Sequence, residues 1–138
     1  MALSIEKLMN PKLSYILESG TAQEAATKMK EDNSSVLIVL DMNRVSPVGI
    51  VTERDLVRRL CAEDVPCNEI FVKHIMSTPI VTIDPYSPVE TAADIMKQNR
   101  VRHLLVVDNA NPKEAIGMLS TRDFAPYIEH EYLEEAQS

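Results

Sequence analysis

From Val89 onward the apolar residues Val89, Ala92, Ala93 and Met96 recur at i, i+3, i+4 and i+7, the spacing of one helical face. Ala22, Ala25, Ala26 and Met29 repeat that spacing earlier in the chain. Each predicted helix is followed by a run apolar at successive positions, "SVLIVL" and then "HLLVV". Such a run predicts a strand covered on both faces. The connectors "DMNRVSPV" and "DNANPKEA" are rich in turn residues, and they lead into "VGIV" and "IGML", each the partner strand of a hairpin. Ahead of each helix lies a short extended stretch, "LSYIL" or "PIVTI", itself preceded by an amphipathic turn, "SIEKLMN" or "NEIFVKHIMS". A last helix follows Thr52 in one case and Ser120 in the other.

Cap chemistry sharpens the helix starts. In "SPVETAADIMKQN" Ser87 reads as the N-cap and Pro88 as the first helical residue. Thr21, with Glu24 three positions on, reads as a capping box.

The element order is therefore β-α-β-β-α, written twice. A shift of 67 aligns Leu8-Met9 with Ile75-Met76, Ala25-Ala26 with Ala92-Ala93, and Met29-Lys30 with Met96-Lys97. One extra residue in the second connector makes the shift 68, which aligns Gly49, Arg54 and Asp55 with Gly117, Arg122 and Asp123. The expectation is an α/β fold of two pseudo-symmetric β-α-β-β-α copies packed together as one module. The copies would occupy residues 1–63 and 72–128, with a connector at 64–71 and a tail at 129–138. A copy of roughly sixty residues is marginal alone, so the two are expected to share a core. Pro126 stands where the first copy has Arg58, and it is expected to kink or restart the last helix.

Composition narrows the function classes. Apolar residues make up 45% of the 138, enough for a core, and with no Trp and six aromatic residues that core must be aliphatic. The net charge of −7 repels phosphate backbones and disfavours nucleic acid as a partner. No apolar run has the length of a membrane span, and "MALSIEKLMN" lacks the features of a secretory leader, which predicts a cytoplasmic protein with no membrane partner. Cys61 and Cys67 match no zinc or redox spacing and read as reduced thiols. His74, His103 and His130 are scattered, so no metal site is expected.

The duplicated stretch "GIVTERDL" and "GMLSTRDF" carries the candidate chemistry. Thr52-x-x-Asp55 and Ser120-x-x-Asp123 each fit a capping box that needs no ligand, and Gly49 and Gly117 fit close strand packing. The same groups also suit a nucleotide. An aspartate beside a hydroxyl offers acceptors to the vicinal hydroxyls of a ribose, and Arg54 or Arg122 can neutralise a phosphate. Both readings stand on the residues alone.

The two copies, each closing on glycine, two apolar residues, Ser or Thr, any residue, Arg and Asp, resemble a pair of cystathionine-β-synthase-type (CBS) domains. The resemblance runs from about Ile5 to Ile128. It implies a regulatory, non-catalytic module with adenosine compounds (AMP, ADP, ATP or S-adenosylmethionine) as ligands, in clefts between the copies, for energy sensing. No catalytic cofactor is implied, and no nucleophile elbow, HExxH or P-loop is present. Carried over by position, Asp55 and Asp123 would accept from ribose hydroxyls, and Thr52 and Ser120 would touch ribose or the first phosphate. The base would lie near Ile83 and Pro85, or near Ile16 in the first copy, and Arg102 and His103 would reach the phosphates. The first copy has Ser35 and Val36 at those last positions, so the Asp123 site is expected to be the stronger phosphate site. The resemblance further implies a homodimer and an unidentified regulated protein. Leu56, Val57, Leu60, Phe124 and Ile128 are expected to supply apolar surface for that dimer. A ligand-free structural dimerisation module is the alternative.

Overall fold

A computed structural model describes residues 4–44, 46–109 and 114–125. They form two compact units: a middle unit, Ser14–Ile80, and a terminal unit that joins the described parts of Met1–Leu13 and Val81–Ser138. The expectations for Pro126, Ile128, His130 and the tail lie outside the described residues.

In the middle unit β1 (Tyr15–Leu17), α2 (Ala22–Asp32), β2 (Val36–Leu40), β3 (Pro47–Thr52) and α3 (Glu53–Leu56) follow in order, α1 being Ile5–Leu8 of the terminal unit. The sheet order is β1-β2-β3. β1 runs parallel to β2, with Ile16 opposite Val39, as a crossover through a helix requires. β2 and β3 form the antiparallel hairpin, with Val36 opposite Thr52. The terminal unit repeats this with β4 (Thr82–Ile83), α4 (Val89–Asn99), β5 (His103–Val107), β6 (Ala115–Ser120) and α5 (Thr121–Phe124), in sheet order β4-β5-β6. Both hairpins carry a register shift at matching places, after Val39 and after Val106.

The helix faces pack as their spacing requires. Val89, Ala92, Ala93 and Met96 are all buried in the terminal core with Leu104, Val106, Leu119 and Phe124. Ala22, Ala25 and Met29 are buried with Leu37, Val39 and Val51, whereas Ala26 is only half-buried. The central strands are covered on both faces: Leu37, Ile38 and Val39 are successive and all buried, as are Leu104, Leu105 and Val106.

Two cap expectations change. Pro88, at φ −71° and ψ 159°, is itself the N-cap of α4, and Val89 is the first helical residue. The extended ψ places Pro88 outside the helix, and Ser87 lies one residue further out. Thr21 caps α2 by accepting from the Glu24 N–H at 3.1 Å, but only this arm of the box forms. Both helices end on a left-handed residue, Asn33 and Arg100, whose N–H groups reach back to the last turn. Asparagine tolerates that conformation, but arginine pays for its Cβ.

The packing units and the sequence copies divide the chain differently. α1, which opens the first copy, packs in the terminal unit: Asn10 exchanges backbone hydrogen bonds with Met118 at 2.9 and 3.0 Å. The 3₁₀ turn Val72–His74, which opens the second copy, packs in the middle unit: Ser77 and Ile50 bond at 2.7 and 3.1 Å. The segment between the copies is not a loose tether. Cys67–Glu69 forms a 3₁₀ turn, Ile70 accepts from the Ala22 N–H, and Val72 and Ile75 are fully or nearly fully buried.

These bridges explain the paired glycines. A Cβ on Gly49 would lie 2.8 Å from Met76 Sδ and 3.0 Å from the Ser77 carbonyl oxygen. One on Gly117 would meet Met9 Sδ, with Met9 Cγ at 2.9 Å. Neither glycine has a positive φ. Their role here is close approach of a neighbouring turn.

The apolar residues expected to serve a dimer are largely used within the fold. Leu60 and Phe124 are buried and Leu56 packs against the middle core, because the last helices close over the sheets. Val57, at 58% exposure, stays outside. Cys61 and Cys67 are free thiols, one exposed and one half-buried.

Gly49→Ala is expected to destabilise the protein by about 1–3 kcal/mol through overpacking against the Ser77 backbone, read from urea unfolding. A cost below a few tenths of a kcal/mol would show that the turn does not press on β3. Arg100→Gly is expected to stabilise by up to about 1 kcal/mol by relieving the left-handed strain, with a smaller gain from Asn33→Gly in the same assay.

Candidate functional site: two capped aspartates

β3 passes directly into α3, and β6 directly into α5. At each junction an extended N-cap, Thr52 at φ −120° and Ser120 at φ −117°, faces an aspartate three residues on. Both junctions form capping boxes. The structural reading of the motif therefore holds in both copies, and it fixes each aspartate at the end of its hairpin.

Asp55 sits in the middle unit with 7% exposure. Its Oδ2 accepts from the Thr52 N–H at 3.0 Å and from the Thr52 hydroxyl at 3.1 Å, while that hydroxyl accepts from the Asp55 N–H. The Ser77 hydroxyl donates toward both carboxylate oxygens, at 3.1 and 3.3 Å. Arg59 Nε lies 3.5 Å from Oδ1, and Arg59 Nη1 donates to the Met76 carbonyl at 3.3 Å. Arg59 belongs to a π-helical segment, Val57–Cys61, that continues α3. The i,i+4 pairing returns it to Asp55.

Asp123 in the terminal unit is half-buried. Its Oδ2 accepts from the Ser120 N–H at 2.8 Å and from the Ser120 hydroxyl at 3.3 Å. Among the described residues no donor reaches Oδ1. Asn10 stands at the Ser77 position of the backbone bridge, but its Oδ1 accepts from the Lys12 N–H at 3.0 Å.

The structure brings Arg102 and His103 to the Ser120 junction. His103 is opposite Ser120 in the hairpin, and the Arg102 carbonyl accepts from the Thr121 N–H at 3.2 Å. Ser35 and Val36 occupy the same places beside Thr52. Arg54 and Arg122 are exposed on the first turns of α3 and α5. Ile83 and Pro85 are placed elsewhere. Ile83 pairs with Val106, three residues along β5 from His103, and its side chain is buried in the terminal core. Pro85 is buried, and its carbonyl accepts from the Glu6 N–H. In the middle unit Ile16 is half-buried against the core.

Sequence reasoning missed Ser77 as a partner of Asp55. The shift of 67 aligns Ser77 with Asn10, but only the backbone bridge reveals that this position faces the aspartate. For Arg59 the signal that could have found its pairing with the site aspartate is the i,i+4 spacing from Asp55.

Among the described residues no helix is long and apolar enough to cross a membrane, and no group of three or more His, Cys, Asp or Glu could hold a metal. The CBS-domain family model matches residues 5–62 and 72–130. An uncharacterised 17.7 kDa protein of Acidianus ambivalens is 35% identical over 126 residues, 91% of this chain and 73% of that protein. The protein MK0525 of Methanopyrus kandleri is 31% identical over 111 residues, and the match spans 78% of this chain and 55% of that longer protein. Among solved structures, the hexameric CBS-CP12 protein from bloom-forming cyanobacteria superposes with a TM-score of 0.83 at 30% identity, covering 97% of this chain and 71% of that one. The CBS domain protein PAE2072 from Pyrobaculum aerophilum, complexed with AMP, superposes with a TM-score of 0.77 at 27% identity, covering 97% and 98%. With two family matches, two three-stranded α/β sheets and a capped aspartate closing each copy, the chain belongs to the CBS-domain family as a tandem pair.

Proposed function

We propose that this CBS pair is a regulatory, non-catalytic module that binds an adenosine nucleotide (AMP, ADP or ATP) at its hydroxyl–aspartate junctions and signals occupancy to a partner protein or to a second copy of itself, in the cytoplasm. The observation that carries the reading is the Asp123 carboxylate. One oxygen is held by Ser120, the other receives no donor among the described residues, and Arg102 and His103 flank the junction. An ionised oxygen of that kind suits a ribose hydroxyl, and a guanidinium suits phosphate. The AMP complex of a neighbour that matches nearly end to end supports the ligand class.

A second reading, a structural self-association module, draws on the hexameric neighbour and on Asp55, whose carboxylate is already satisfied within its own unit. The two readings part on ligand response. A ligand that binds only the folded state stabilises it by RT ln(1 + [L]/Kd), about 2.7 kcal/mol at a hundredfold excess. A thermal-shift panel of AMP, ADP, ATP, NAD and S-adenosylmethionine is expected to raise Tm by several degrees for at least one adenine nucleotide. No shift from any of them at millimolar concentration rejects the nucleotide reading.

Asp123→Ala is expected to weaken that binding about tenfold or more, the worth of a hydrogen bond to a charged acceptor. Calorimetry showing a larger loss from Asp55→Ala would reverse the ranking of the two sites.

A further inference from the structure

The two capped aspartates differ in how many of their acceptor positions are filled. A carboxylate offers about four lone-pair sites. Asp55 accepts from the Thr52 N–H, the Thr52 hydroxyl and the Ser77 hydroxyl, and Arg59 Nε pairs with its Oδ1 as an ion pair at 3.5 Å. Among the described residues Asp123 meets only the Ser120 N–H and hydroxyl. Counted over the described residues, two acceptor positions remain on Asp123, the number that a vicinal diol needs, whereas the one left on Asp55 faces the Arg59 guanidinium.

From this difference we propose that Ser77 and Arg59 form an internal lock on Asp55, so that the wild-type chain takes one nucleotide, at Asp123. The lock decides which of the two copies binds. It rests on the nucleotide reading above and extends it to selectivity between the sites.

The geometry gives the lock its basis. The Ser77 backbone is fixed to Ile50 by two hydrogen bonds, so its hydroxyl is held against the carboxylate at little further cost in freedom. Arg59 is tied at two points, to Asp55 and to the Met76 carbonyl of the same turn. A ribose entering this site must displace both donors from a carboxylate that is 7% exposed. Ser77 would be left facing a site it no longer bonds, and Arg59 would lose a charge-assisted contact. In the terminal unit the equivalent residue, Asn10, is turned onto the Lys12 N–H.

The test pairs a ligand-free measurement with a titration. In ¹⁵N NMR of the full chain, the Arg59 Nε–H is expected to show slowed exchange with water that is lost in Asp55→Asn and in Ser77→Ala. Fast exchange in the wild type would overturn the lock whatever the ligand does. In calorimetry, AMP is expected to bind the wild type at one site per chain, and Ser77→Ala/Arg59→Gln at two. Two sites in the wild type, or one site in a double variant whose circular dichroism and melting remain native-like, would overturn it as well. If AMP binds neither protein, the nucleotide reading fails. The proposal that the lock selects between sites fails with it, while the exchange data still report whether the Asp55 contacts exist.

Discussion

Each unit depends on a backbone bridge between a short turn and the last strand of its hairpin. The bridge requires the two backbones to approach where a side chain would intrude, and so it requires Gly49 beneath Met76 and Ser77, and Gly117 beneath Met9 and Asn10. The turn supplies core residues: Val72 and Ile75 in the middle unit, Ile5 in the terminal one. In the middle unit it also carries Ser77, whose hydroxyl donates to the capped aspartate. One contact thus couples packing to site chemistry. A glycine that could be read as making room for a ligand instead makes room for the turn, and the turn in the middle unit supplies a ligand-like hydroxyl of its own.

That coupling makes the two sites different without altering their shared frame. The capping boxes, the register between the hairpin strands and the bulges are alike in both units. The differences lie in side chains mounted on that frame: Ser77 against Asn10, and Ser35-Val36 against Arg102-His103. At the Asp123 junction the first leaves one carboxylate oxygen without a donor among the described residues, and the second adds basic groups. A capping box and a ligand site are therefore compatible roles. The box uses one carboxylate oxygen to hold the helix start, and the other is available unless a neighbouring turn fills it.

Much of the fold was legible because the pattern was strong and written twice. The helix faces at Ala22–Met29 and Val89–Met96, the doubly covered strands and the hairpins all follow from local spacing. The errors came where a local rule met a tertiary demand. Pro88 was expected inside the helix by its preference for the first turn, but its extended ψ makes it the cap. Leu60 and Phe124 looked like spare apolar surface because their helices are short, and the sheets beneath them take them up.

The sequence by itself determined the duplicated β-α-β-β-α order, the family, and the pairing of a hydroxyl with an aspartate at each helix start, since all of these are set by neighbours within a few positions. Tertiary structure decided which turn packs on which hairpin, and with it what each aspartate touches. Asp55 and Ser77 are 22 residues apart and meet only because a backbone bridge brings that turn to β3. No periodicity encodes such a meeting: hydrogen bonds between distant segments depend on the assembled backbone, and spacing along the chain carries no trace of them.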